Sequence, residues 1–167
     1  MCSSDLGQIR KYDISNGVGI RSSIFVTGCT HACPNCFNEE YQNFHAGELW
    51  TDIQTQEVIE YLKDPQVAGL TLLGGEPFQN TKELIDIVQE IKKEIQKPIW
   101  VYSGYTWEEL ISNPLQLELL KECDILVDGR FQEELKDLML RFRGSSNQRI
   151  IDIQKSLQEN RVILFME

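Results

Sequence analysis

Three features of this 167-residue sequence predict an α/β fold with a mostly parallel sheet in a single compact domain. Short β-branched and apolar runs alternate with segments whose apolar residues recur at helical spacing. Several of those runs stop at glycine, as strands do where the chain must turn sharply toward a following helix. No internal repeat, low-complexity linker or shift of composition marks a second domain.

The elements follow in order. "SSIFVTG" (Ser22 to Gly28) is β-branched and apolar and reads as a buried strand. "TDIQTQEVIEYLKD" offers Thr51 and Asp52 as N-caps, and Ile53, Val58, Ile59 and Leu62 approximate a helical stripe. "VAGLTLLGG" (Val67 to Gly75) is a second strand closed by a double glycine. "NTKELIDIVQEIKKEIQK" repeats Leu84, Ile85, Val88, Ile91 and Ile95, an amphipathic helix with cations toward its end. "PIWVYSG" (Pro98 to Gly104) is a third strand. "TWEELISN" and "LQLELLKE" are helical and broken at Pro114. "DILVDGRF" (Asp124 to Phe131) is a fourth strand; a polar helix, an arginine-rich loop and a last strand at "RVILF" (Arg161 to Phe165) complete the pattern.

Composition narrows the function. The chain is 41% hydrophobic and 25% charged, with a net charge of −10. That charge argues against nucleic acid or an anionic membrane as a general partner. No apolar run approaches the ~20 residues of a membrane span, and no secretory signal is visible. A cytoplasmic location is the expectation. Residues 1–8 look unlike the periodic segments after them and are expected to be a disordered or non-native remnant, leaving 9–167 as the functional domain. Cys2, within that remnant, is given no role.

In a parallel sheet, ligands gather beyond the carboxyl ends of the strands. Every chemically suggestive segment falls at such an end: the cysteines after the first strand, "GGEP" after the second, "SGY" after the third and "DGR" in the fourth. Cys29, Cys33 and Cys36 stand in C-x3-C-x2-C spacing, which points to metal or redox chemistry rather than a disulfide framework. A structural zinc site needs a fourth ligand, for which His31 and His45 are the candidates. An iron–sulfur cubane held by three thiolates would instead keep one iron open to a ligand or substrate. Both readings stand on spacing alone, with the cluster favoured. Cys123, beside an apolar run, reads as a small buried hydrophobe.

"DISNGVGIRSSIFVTGCTHACPNC", "LLGGEPF", "VYSGYTWEEL", "VDGRF" and "RFRGSSNQRIID" together resemble the radical S-adenosylmethionine superfamily. More narrowly, they resemble its activating proteins of anaerobic ribonucleoside-triphosphate reductase. The likeness runs from about Ile9 to Glu167, and Val18 departs from it where the family often has proline. It implies a partial (β/α) barrel of the radical S-adenosylmethionine type. It also implies that Cys29, Cys33 and Cys36 hold a 4Fe-4S cluster whose open iron takes the amino and carboxylate groups of S-adenosylmethionine. Reductive cleavage would yield a 5′-deoxyadenosyl radical, which takes hydrogen from a glycine of the reductase's large catalytic subunit.

Within the resemblance, Gly74, Gly75 and Glu76 hold the methionine amino group, and Ser103 and Gly104 form a contact region. Asp128 reaches ribose hydroxyls and Arg130 grips the methionine carboxylate, a surface ion pair at a strand end being the alternative. Asn35 and Phe37 flank the last cysteine and face the adenine, although Phe37 could equally pack in the core. A flavodoxin or ferredoxin-type donor supplies the electron, and the chain acts as a homodimer or a heterotetramer with the reductase. Arg141, Arg143 and Arg149 are either a solvated basic loop or a clamp on an acidic partner surface. The rival functions are activation of another glycyl-radical enzyme, such as pyruvate formate-lyase, and a zinc-stabilised adaptor without catalysis.

Overall fold

The computed structural model describes residues 5–27 and 48–167. The strands are β1 (Asp5–Asp13), β2 (Arg21–Val26), β3 (Glu48–Leu49), β4 (Gly69–Gly74), β5 (Ile99–Tyr102), β6 (Ile125–Asp128), β7 (Arg149–Asp152) and β8 (Leu164–Met166). The helices are α1 (Asp52–Leu62), α2 (Thr81–Glu94), α3 (Trp107–Ile111), α4 (Pro114–Lys121) and α5 (Ile153–Glu159). All eight strands share one sheet in the order β3-β1-β2-β4-β5-β6-β7-β8.

The expected α/β fold is present, with the parallel part of the sheet, β2-β4-β5-β6, at its centre and the antiparallel strands β1, β3, β7 and β8 added at both flanks. Helices lie between the central strands, as a parallel return requires. Residues 129–148, between β6 and β7, contain no helix beyond a short 3-10 turn at Glu133–Leu135, and the chain comes back antiparallel. Four elements escaped the sequence reading: β1, which takes in residues from Asp5 onward, β3, β7 and α5. The expected polar helix after β6 is that 3-10 turn, and the last strand lies at Leu164–Met166 rather than starting at Arg161.

The helices begin where their caps say. Thr51 and Gln54 form a capping box on α1, Thr106 and Glu109 another on α3, and Asn113 caps α4 with Pro114 at its first position. Ile53 leaves the expected stripe of α1: it is 75% exposed, and Thr55, Val58, Ile59 and Leu62 form the buried face.

One face of the sheet carries the main core. Ile24, Val26, Leu70, Leu72, Ile99, Val101 and Leu126 pack there with Val58, Leu84, Val88, Leu110, Leu119 and Leu120 of the helices. Cys123 is fully buried among them, its thiol directed at the Leu119 carbonyl, and burial pushes its pKa up, as a small core hydrophobe requires. On the other face Trp100, Ile125, Val127 and Ile150 cluster with Tyr102, Phe142 and Met166.

The amino end of the central strands is pinned by Arg21. Buried to 2% exposure, its guanidinium donates to Thr71 Oγ1 (2.9 Å) and to the carbonyls of Val18 (3.1 Å), Leu70 (3.0 Å) and Pro98 (2.6 Å). Burial lowers its pKa to about 10. One side chain thus ties the β1–β2 turn to β4 and the entry of β5, leaving the opposite end of the sheet for chemistry.

Candidate functional site

The carboxyl ends of β2, β4, β5 and β6 lie side by side in the register Val26↔Gly74 and Tyr102↔Val127. The cysteine segment leaves β2 after Thr27. Cys29, Cys33 and Cys36, with His31, Asn35, Phe37 and His45, lie outside the described residues, as does Cys2.

Gly74 closes β4 at φ +109, a conformation that L side chains rarely adopt. A Cβ there would meet the Val26 carbonyl oxygen at 2.5 Å. The Gly75 N–H donates to that same carbonyl at 2.7 Å. The double glycine therefore bends the chain across the end of β2, directly before the cysteines.

Glu76 is fully buried and acts as a clamp between two strand ends. Its carboxylate accepts from the Phe78 N–H (3.0 Å), the Ser103 hydroxyl (2.9 Å) and the Gly104 N–H (2.6 Å). Ser103 in turn accepts from the Tyr105 N–H at 2.9 Å, and its own N–H donates to the Val127 carbonyl. The structure thus brings Gly74, Gly75, Glu76, Ser103 and Gly104 together. A carboxylate receiving three protein donors orients the loop.

Asn80 is a residue the sequence reading missed. It precedes α2 but makes no side-chain cap. Its amide donates instead to the carbonyls of Thr27 (3.0 Å) and Glu76 (3.1 Å), which binds the exit of β2 to the glycine loop. An asparagine after "GGEPFQ" reads locally as an N-cap, so nothing local signals the longer-range use.

At β6 the pairing differs from expectation. Asp128, 1% exposed, is joined to Arg149 rather than Arg130. Arg149 donates from Nη2 to Oδ2 (2.6 Å) and from Nε and its backbone N–H to Oδ1 (3.1 and 3.2 Å). The Trp107 N–H adds a fourth donor at 2.8 Å, placing the carboxylate at the start of α3. Arg149 also bonds Glu108 Oε1 at 2.7 Å and holds that carboxyl below its ordinary pKa. Asp128 raises the Arg149 pKa further. Four donors fill the acceptor sites of one carboxylate. Asp128 therefore fastens β6, β7 and α3.

The three arginines expected to act together have separate fates. Arg149 is committed to Asp128 and Glu108. Arg143 donates to the Gln148 carbonyl at 2.6 Å and is half-buried. Arg141 is exposed, with its guanidinium 5.1 Å from the Phe142 ring centre. Gln148, also unforeseen, organises the loop by accepting from the Gly144 and Ser145 N–H groups and donating to the Gly129 carbonyl. Arg130 lies exposed just beyond β6.

Among the described residues, no helix is long and apolar enough to cross a membrane. A family model described as a 4Fe-4S single cluster domain matches residues 15–151. The chain is 43% identical over 141 residues to an anaerobic ribonucleoside-triphosphate reductase-activating protein of Haemophilus influenzae, covering 81% of this chain and 90% of that one. A protein of the same name from Escherichia coli K12 is 40% identical, with the same shares covered. One from Enterobacteria phage T4 is 38% identical, covering 83% of this chain and 87% of the phage protein.

Proposed function

The chain belongs to the family of anaerobic ribonucleoside-triphosphate reductase-activating proteins and carries its 4Fe-4S single cluster domain, and from that premise we propose that it is a radical S-adenosylmethionine enzyme that installs a glycyl radical on the reductase's large subunit. The observation that supports this most directly is the convergence of Thr27, Gly74, Gly75, Glu76, Ser103 and Gly104 at the strand ends from which the cysteine segment departs.

The donor set fits an iron–sulfur cluster. Three thiolates within eight residues leave one iron of a cubane without a protein ligand, and the 4Fe-4S description favours iron over the zinc reading. Cys29, Cys33 and Cys36 would hold it. When bound, the cluster supplies one low-potential electron, which splits S-adenosylmethionine into methionine and a 5′-deoxyadenosyl radical that takes a hydrogen atom from a reductase glycine.

The protein's own part is placement. The Gly74–Gly75 bend brings main chain without side chains to the methionine end of the substrate. Glu76 holds that bend and the Ser103–Gly104 turn in one relation, so both contact segments move as a unit. Arg130, exposed beyond β6, offers a planar fork to the methionine carboxylate. Asn35 and Phe37, which flank Cys36 in the sequence, would contact the adenine. The sheet, with its parallel centre, forms part of a (β/α) barrel of the radical S-adenosylmethionine type. A flavodoxin or ferredoxin-type protein delivers the electron in an anaerobic cytoplasm, and the assembly is a homodimer or a heterotetramer with the reductase.

Anaerobic reconstitution with iron and sulfide, followed by reduction, tests this reading. The expected product is 5′-deoxyadenosine, and with the reductase subunit present a glycyl-radical doublet that needs S-adenosylmethionine. A colourless protein that binds one zinc and cleaves nothing would overturn it.

A further inference from the structure

We propose that the hairpin spanning residues 135–145 is a docking arm, seating Leu138 and Met139 in an apolar socket of the reductase subunit whose rim carries a carboxylate for Arg141. This rests on the activase reading above. Leu138 is 79% exposed and Met139 88% exposed, the largest exposures of any apolar side chains among the described residues. Adjacent large apolar groups fully in water at a turn mark a surface that another molecule covers.

The arm is built, not loose. An antiparallel bridge joins Lys136 to Ser145, and the Asp137 N–H donates to the Gly144 carbonyl at 3.2 Å. At the apex the Leu140 N–H returns to the Asp137 carbonyl, and the Met139 N–H bonds Asp137 Oδ1 at 2.9 Å. Leu138 and Met139 are therefore the two central residues of a fixed turn. Such preorganisation lowers the ordering cost of association. The base is anchored to the site: the Tyr102 hydroxyl, at the end of β5, donates to the Phe142 carbonyl at 2.7 Å.

Charge and geometry select the occupant. The chain carries −10 overall, yet the arm presents an exposed Arg141 that makes no ion pair among the described residues. A second copy would bring the same cationic arm to this face, whereas one carboxylate beside an apolar socket satisfies the arm locally. The hydrogen donor in the proposed reaction is a backbone glycine of another protein. That protein must cover the open strand ends on which the arm stands.

Leu138→Ser/Met139→Ser tests the arm, with Arg141→Glu as a second variant. Affinity for the reductase subunit is measured by biolayer interferometry under nitrogen, beside uncoupled S-adenosylmethionine cleavage and sedimentation of the chain alone. The expected result is about tenfold weaker binding of the double variant, with uncoupled cleavage unchanged. Arg141→Glu should weaken binding about fivefold and flatten its salt dependence. Equal affinity of wild type and double variant overturns the arm and leaves the activase reading intact. A double variant that loses self-association instead assigns the surface to a second copy and also overturns it. A wild type that binds the reductase through Leu138 and Met139 but cleaves nothing refutes the activase chemistry alone.

Discussion

Asp128 and Arg149 sit directly opposite each other in the β6–β7 ladder, and their side chains close a two-point ion pair of 2.6 and 3.1 Å. The carboxylate is buried and the guanidinium about one-third exposed. Removing either partner leaves a desolvated charge or an unfilled bond. We expect Asp128→Ala to lower stability by about 2–4 kcal/mol, read from urea denaturation of the whole chain. Arg149→Ala should lose less, because solvent reaches that side. A double-mutant cycle should return a coupling of about 1–3 kcal/mol, and additive losses would show that the pair contributes nothing.

That pair also shows where the sequence stops being legible. The central strands and α1 to α4 follow from apolar period, caps and glycine stops, all of which act within a few residues. The glycine loop and its neighbours at the strand ends were found the same way. β7 was missed because "RIID" is short and follows a polar loop. Without β7, nothing brings Arg149 across from Asp128, 21 positions away. Arg149 then reads as part of a basic cluster, and Asp128 as a companion of Arg130 at a strand end. Asn80 and Tyr102 were missed for the same reason: their partners, Thr27 and Phe142, lie far off in the chain.

Gly74→Ala is expected to be severe. The residue stands at φ +109, and the new methyl would lie 2.5 Å from the Val26 oxygen and 2.7 Å from the Val26 nitrogen, both backbone atoms. Neither can yield without opening the β2–β4 ladder. A loss of about 2–4 kcal/mol is expected from strain and clash together. A thermal melt of Gly74→Ala within a degree or two of wild type would show that the loop relaxes freely.

Glu76→Gln tests the clamp. The glutamine keeps one acceptor oxygen and turns an NH2 toward a donor, either the Gly104 N–H or the pair formed by Phe78 and Ser103. A loss of about 1.5–3 kcal/mol is expected. Binding of S-adenosylmethionine should weaken with it, because the Gly74 and Ser103 segments would no longer share one support. Isothermal titration of the reconstituted variant checks this, and unchanged affinity would separate the clamp from the substrate.

Asp13 gives the fold an acid-sensitive corner. Burial alone would raise its pKa, but donors from Asn16, Ser23 and the Ser15 N–H outweigh that and bring it below the ordinary value. Because the folded pKa lies below the unfolded one, the contribution is complete above the usual carboxylate range, near pH 4, and is lost as pH falls through the folded value. Asp13→Asn should therefore flatten the loss of stability between pH 5 and 3. Parallel urea midpoints for the variant and wild type across that interval would show the opposite.

Tyr102 links the strand ends to the hairpin, so its loss should be felt at a distance. Burial pushes the phenol pKa well above its ordinary value, which keeps the hydroxyl protonated and donating to the Phe142 carbonyl at any working pH. Tyr102→Phe keeps the ring against Phe25, Leu73 and the Trp100 cluster and removes only that donor. The global cost should be small, about 0.5–1.5 kcal/mol. Phe142 holds a left-handed φ of 64, a conformation maintained only while its surroundings enforce it. Releasing its carbonyl should let the turn relax. Amide exchange by mass spectrometry should then quicken in peptides covering 137–144 and stay unchanged in β4 and β5. Uniform acceleration across the sheet would mean that the tether supports the core rather than the arm.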